Sequence, residues 1–295
     1  MKRKRTCIEF REAIMTNDSE LLRQQARQQE LKYIKNNKRK MMIFSILSIT
    51  ALLLIWHFVV TFRLVNTRFL ESPVTVINTI ITKFTDINPD GGYLHQHIIE
   101  SAKVVWVGFL VGSLVGIPLG LFMGWYRIFD HLIRPLFEMV RPIPALAWIP
   151  IVLLFLGIGV AARSAIIFFG SFVGIVLNTY VGVRQTNQVL INVAKTCGAS
   201  NFEIFYKIGI PSAMPMIFTG LKTAMGAAWA TVVAAEMLSA SKGLGYMIQM
   251  GRMYGEVSLI LAGIIVIGIF GLISSWMIGC LEDIVLKWRP KNHEN

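Results

Sequence analysis

Apolar residues along the chain are gathered into long blocks, separated by short polar segments rich in Gly, Pro, Lys and Arg. Blocks at about 42–61, 102–124, 139–158, 164–183, 216–238 and 257–279 each approach the roughly 20 residues needed to cross a bilayer as a helix. The pattern predicts an all-α polytopic membrane protein with about six transmembrane helices. Between the first two blocks, SPVTVINTIITKF places Val74, Val76, Ile77, Ile80 and Ile81 at a helical rhythm, and NPDGG at 88–92 is a turn signal. A short helix along the outer surface is expected there.

The second block carries Gly108, Gly112, Gly116, Gly120 and Gly124, one every fourth residue. Positions four apart share a helix side, so the spacing predicts a groove without side chains that lets a neighbouring backbone come close. Pro118 within it predicts a kink. Gly170 with Gly174, and Gly220 with Ala224 and Ala228, repeat the device. In the third block, RPIPALAWIP begins with Arg141, which can pair with Glu138 three residues earlier; its prolines predict a rigid, irregular start.

Between the fourth and fifth blocks lies NVAKTCGASNFEIFYKIGIP, Asn192 to Pro211. It reads as two short helices broken at Gly198. Ser200 and Glu203 have capping-box spacing. Phe202, Phe205, Tyr206 and Ile208 crowd one half of the new helix, and Pro211 is expected to stop it. Such an aromatic helix at a membrane edge either rests on lipid or buries its face on a partner.

The overall composition agrees: only 16% of the 295 residues are charged and the mean hydropathy is +0.58. The polar, basic first 40 residues predict no cleavable signal peptide. Cys7, Cys197 and Cys280 have no CxxC spacing and no nearby His cluster, which argues against a disulfide framework or a metal site. Much of the net charge of +12 precedes residue 43. A basic cytoplasmic tail at 1–41 that anchors to anionic lipid explains it without nucleic acid. The membrane domain is expected at 42–286 and a second cytoplasmic tail at 287–295. With both termini inside, Arg127, Arg134, Arg184, Lys195, Lys207, Lys287, Arg289 and Lys291 fall on the cytoplasmic side, as the positive-inside rule requires.

Candidate chemistry is sparse. No G-x4-G-K-[ST] occurs in the chain, and no nucleophile–base constellation stands out. The chain is read as a non-enzyme without its own ATP site. Glu236 is the acid expected to face the protein interior, with a structural or a transport role. Arg141, Asn178 and Thr179 are further pathway candidates, although Arg141 also reads as an interfacial snorkelling residue.

The Asn192–Pro211 segment resembles the EAA loop of ABC importer permeases, E-A-A-x3-G-x9-I-x-L-P. Asn192, Val193 and Ala194 stand at the first three positions, then Gly198, Ile208, Ile210 and Pro211 in register. Asn192 replaces the acidic residue and Val193 the first Ala. RPIPALAWIP, LFLGIG (154–159), GIPLGLFMGW (116–125), FTGLKTAMGAAWATVVAAEM (218–237) and GLGYMI (243–248) resemble the nitrate, sulfonate, taurine and bicarbonate branch, which also includes some permeases for thiamin-precursor pyrimidines. The likeness spans roughly residues 70–285. It implies a multi-pass permease of the bacterial inner membrane, working by alternating access as a homodimer. ATPase subunits holding ATP and Mg and an extracytoplasmic solute-binding protein would be its partners. It also implies a cytoplasmic coupling helix between spans four and five, with Asn192, Ala194, Gly198, Ser200, Phe202, Glu203, Phe205, Ile208 and Pro211 as coupling residues. The rival reading is an ion-coupled carrier or channel that works without an ATPase and predicts a charge buried mid-membrane.

Overall fold

The computed structural model describes residues 33, 36, 37, 40–62, 64, 65 and 69–288. Most of the basic tail of 1–41, and residues 289–295 of the second tail, lie outside the described residues. The chain divides after Thr67 into two units. The first contains α1 (Lys40–Thr61), 22 residues of mean hydropathy 2.4, long and apolar enough to span a membrane.

The second unit begins with α2 (Pro73–Thr82), capped by Ser72, whose hydroxyl accepts from the Thr75 amide at 3.1 Å. A turn-rich segment leads into α3 (Leu94–Trp125), which starts before the apolar block because the polar residues His97 and Ser101 are buried within its first turns. Its 32 residues run on past Pro118, about 48 Å at 1.5 Å per residue.

The third span differs from the single helix expected at 139–158. The chain forms α4 (Arg127–Val140), a 3-10 turn (Ala145–Trp148) and α5 (Ile149–Leu156), with α4 and the following pair bent by 85°. Pro142 and Pro144 lie at the bend, where the fixed ring angles and missing donors interrupt the ladder. Among the described residues, five helices are long and apolar enough to cross a membrane, six if this bent pair counts as one span.

α6 (Val160–Arg184), α7 (Gln188–Thr196) and α8 (Asn201–Ile204) follow. Pro211 does not end the helix there. A π turn (Phe205–Gly209) carries α8 directly into α9 (Ile210–Ser239), and Pro211 falls in the first turn of α9, where the lack of an N–H is tolerated. α10 (Leu244–Tyr254) and α11 (Val257–Val285) complete the unit.

The glycine ladder lies along the α3–α6 contact. A Cβ on Gly108 would sit 2.5 Å from the Ser164 carbonyl oxygen, on Gly112 2.5 Å from Ser171 Oγ, on Gly120 2.6 Å from Thr179 Cβ, and on Gly124 2.7 Å from Val183 Cβ. Gly116 is less tight, at 3.1 Å from Ile175 Cγ2. On the other side of α6, Gly170 faces Thr231 of α9, and Gly220 of α9 faces Asn178. Gly174, expected to act with Gly170, has open space where its Cβ would be. Around these contacts Val104, Val105, Ile167, Met225, Ala228, Trp229 and Met247 form the buried core. Trp229 Nε1 donates to Ser274 Oγ at 3.1 Å, tying α9 to α11.

Candidate functional sites

Three places in the second unit concentrate polar or aromatic groups. The first is the segment from Asn187 to Gly209. Asn187 caps α7 by accepting from the Val189 amide at 2.9 Å, and no α7 residue is buried. Gly198 takes φ +83°, which L side chains rarely adopt. Ser200 and Glu203 form the capping box: Ser200 Oγ accepts from the Glu203 amide at 3.3 Å, and Glu203 Oε2 accepts from the Ser200 amide at 2.9 Å.

The aromatic residues of this helix divide between two faces rather than sharing one. Phe205 turns inward, with ring centroids 5.4 Å from Trp125, 5.6 Å from Tyr126 and 6.1 Å from Phe122. Gly209 lies under the Trp125 ring, where a Cβ would come within 2.8 Å. Ile208 is half-buried. Phe202 and Tyr206 stay exposed, at 68% and 65%, as do Val189, Leu190 and Val193 of α7. Asn192 Oδ1 accepts from Gln188 Nε2 at 3.3 Å on the same exposed helix. The segment therefore has a buried root on the end of α3 and an exposed apolar rim. Trp125 and Tyr126 were not sequence candidates, although the aromatic pair closing the glycine ladder was a legible signal.

The second place lies between α4 and α6. Arg134 and Arg184 both approach the Tyr180 ring, at 5.6 and 5.4 Å from its centroid. Arg134 also donates to the Tyr180 hydroxyl at 3.3 Å. Arg184 pairs with Asp130 at 2.5 Å. Arg141 donates to Glu138 at 3.3 Å, the pairing expected from their spacing. A cavity of about 170 Å³ opens here, with Arg134, Glu138, Arg141 and Tyr180 in its wall.

The third place is at the opposite end of α3. Glu236 is fully buried. Ser101 Oγ lies 2.8 Å from both its oxygens, and the Gly245 amide donates to it at 2.9 Å. An Arg163 guanidinium nitrogen stands 3.9 Å away. His97, also buried, accepts from the Gly243 amide through Nδ1 at 3.0 Å, which leaves the proton on Nε2, 3.1 Å from Asp90 Oδ2 but out of line for a hydrogen bond. Asp90 pairs with Lys83, whose ammonium also donates to the carbonyls of Gly92 at 2.9 Å and Asn88 at 3.1 Å. Burial opposes charge on Asp90, but the neighbouring His97 N–H and the hydrogen bond and charge of Lys83 outweigh it and hold the carboxyl below the usual range. Lys83 and Arg163 are both buried members of this network.

Of the remaining pathway candidates, Asn178 donates to the Gly174 carbonyl at 2.8 Å and packs on Gly220. Thr179 is buried against Gly120. Both are engaged in helix–helix contacts of the single chain, and neither lines the α4–α6 cavity.

Residues 116–286 match the binding-protein-dependent transport system inner membrane component family. The chain belongs to that family. A putative ABC transporter permease of Methanocaldococcus jannaschii is 40% identical over 76% of this chain and 84% of its own length. The nitrate import permease NrtB of Synechocystis is 33% identical over 94% of this chain and all of its own. The taurine transport system permease TauC of Escherichia coli is 31% identical over 83% and 89%. A solved structure of the MetNI methionine ABC transporter, in inward facing conformations, aligns with a TM-score of 0.52 over 66% of this chain and 94% of that one; at 18% identity the likeness concerns the fold. The chain is thus a multi-pass ABC importer permease, grouped with the nitrate, sulfonate and taurine permeases.

Proposed function

We propose that this permease is the membrane subunit of an ATP-driven importer and that Asn187–Gly209 is the element through which an ATPase moves it. The observation that carries the reading is the two-sided build of the segment. Phe205 and Gly209 root it on Trp125 at the end of α3, while Phe202 and Tyr206 stand exposed above a capped helix start. A rigid rim with a deep root can pass a push from a docked partner to the long helices. Asn192 and Ala194 would sit on the approach helix, Gly198 at the turn, and Ser200 and Glu203 at the cap.

Arg127, Arg134, Arg184, Lys195, Lys207 and Lys287 then face the cytoplasm together with both termini. The lower members would be two ATPase subunits holding ATP and Mg. A solute-binding protein would dock on the other side, and a second copy of the permease would complete the pathway in the lipid bilayer. Cargo would be a small solute of the nitrate, taurine or sulfonate kind, carried by alternating access as ATP-driven closure shifts the coupling helices. Glu236 gives little support to an ion-coupled carrier: it lies near the end of α9, already bonded to Ser101 and Gly245.

A mild-detergent pull-down of the tagged permease from native membrane, followed by mass spectrometry, tests this. Co-purification of an ATPase and a solute-binding protein is expected. Repeated recovery of the intact chain alone, with ATP-independent flux in liposomes, would sink the importer reading.

A further inference from the structure

We propose that the cavity between α4 and α6 is a binding site for a small oxyanion, such as nitrate or a sulfonate group, held by Arg134 and Arg141 with Tyr180 as a further donor. Charge is the first argument. Arg134 and Arg141 share a single carboxylate, Glu138, at 4.0 and 3.3 Å. Arg184 is taken up by Asp130 and contributes chiefly by fixing the Tyr180 ring. The cavity wall thus carries two guanidinium groups and one carboxylate. One further negative charge would balance it, and the planar donor fork of Arg suits an oxyanion.

The second argument is the surroundings. Met123, Phe137 and Val176 are buried and line the cavity. This apolar floor shields one side of the site, while the Arg134 and Arg141 side chains at its mouth are 51% and 44% exposed and open to an anion from solution. It also fits a weakly hydrated anion or the short alkyl chain of a sulfonate. Tyr180 accepts from Arg134 at 3.3 Å, which leaves its own hydroxyl proton to donate to the anion. The Arg134, Arg141 and Tyr180 side chains reach this one cavity from two different elements, α4 with its C-cap and α6. The site's place in transport rests on the importer reading; its chemistry does not.

The test uses the purified full chain in nanodiscs of phosphatidylcholine. Sodium nitrate and sodium methanesulfonate are titrated against sodium chloride at matched ionic strength, and the thermal midpoint is followed. Both oxyanions should raise the midpoint. Arg134→Gln and Arg141→Gln should weaken apparent affinity by about tenfold or more, the size of one lost charge-assisted hydrogen bond. Arg141→Lys should retain part of it, and Arg252→Gln, in α10, should match the wild type. A second arm replaces part of the lipid with phosphatidylglycerol. If a headgroup phosphate fills the site, that lipid alone raises the midpoint, suppresses the nitrate response and loses its effect in Arg134→Gln. Either arm responding in this residue-dependent way supports the site and names its source. No response in both arms, or one equally large in Arg134→Gln and Arg141→Gln, overturns it. Loss of the site with an ATPase still co-purifying would leave the importer reading standing.

Discussion

Ser101 stands between Glu236 and the start of α10: its hydroxyl is 2.8 Å from both carboxylate oxygens and accepts from the Leu244 amide at 2.8 Å. One side chain of α3 thereby satisfies a buried carboxyl group on α9 and an orphan donor on α10. Replacing Ser101 with Ala removes both bonds and leaves two buried groups short of a partner. A loss of about 1–3 kcal/mol is expected. Thermal unfolding of the purified permease in detergent would read it, and an unchanged midpoint would show that water restores both bonds.

Gly243 sits beside the same carboxylate, with φ +138° and a would-be Cβ only 2.5 Å from Glu236 Cδ. Gly255 also has positive φ, at +75°, but nothing within 4 Å. Gly255→Ala should therefore cost only the backbone strain, about 1–2 kcal/mol. Gly243→Ala adds displacement of a buried carboxylate from its donors, so its loss of folded protein should be clearly larger. Equal losses would mean that the carboxylate moves aside freely.

Asp90 gives the acid limb of stability a definite sign. Its carboxyl is held below the usual aspartate range, so the folded state binds its proton less readily than the unfolded chain. Its contribution is complete above about pH 4 and is lost as the pH falls through the folded-state pKa. The midpoint difference between wild type and Asp90→Asn should be constant from neutral pH down to about 4 and should shrink below that. A difference that grows on acidification would contradict the pairing with Lys83 and His97.

The coupling segment separates docking from anchoring. Phe202→Asp and Tyr206→Asp alter exposed side chains, so the permease should remain folded in the membrane while stimulation of ATP hydrolysis in the assembled complex is lost. Phe205→Ala removes a ring buried against Trp125 and Tyr126, a truncation of the kind that costs about 3–5 kcal/mol. Its first effect should be on yield and thermal stability. Normal stimulation in both aspartate variants would remove the docking role from this face.

These contrasts show which parts of the fold were legible along the chain. The capping box at Ser200 and Glu203 and the glycine spacing of α3 depend on neighbours within one or two turns, and both could be read directly. Sequence spacing put Phe202 and Phe205 on one face because both fall in one short helix. Only Trp125, 80 residues earlier, decides which of them is buried. Asp90 fell in the expected NPDGG turn, and nothing local signals that its neighbour His97 meets the Gly243 amide, beyond the far end of α9. Pro211 does not stop the helix because a π turn, Phe205–Gly209, carries the chain into α9 and has no short local signature. The bend at Pro142 and Pro144 was signalled as irregularity, but its angle involves α4 lying against α3 and α5 against α6, contacts with no local signature.

The glycine ladder allows a graded test of how tightly α3 and α6 approach. At Gly120 a Cβ would meet Thr179 Cβ at 2.6 Å and the Val176 carbonyl oxygen at 2.8 Å. Backbone cannot yield as a side-chain tip does, so Gly120→Ala should force the helices apart and cost on the order of 1–3 kcal/mol, typical of overpacking. At Gly116 the nearest atom is a side-chain methyl, Ile175 Cγ2, at 3.1 Å. A shift of a few tenths of an ångström accommodates it, and Ala also improves helix propensity by roughly 1 kcal/mol. Gly116→Ala should therefore be near neutral, and Gly120→Ala should lower the thermal midpoint and the yield of monodisperse protein. The comparison works because both substitutions add the same methyl to the same helix, two turns or fewer apart. The reverse order would mean that α3 and α6 pack in a different register.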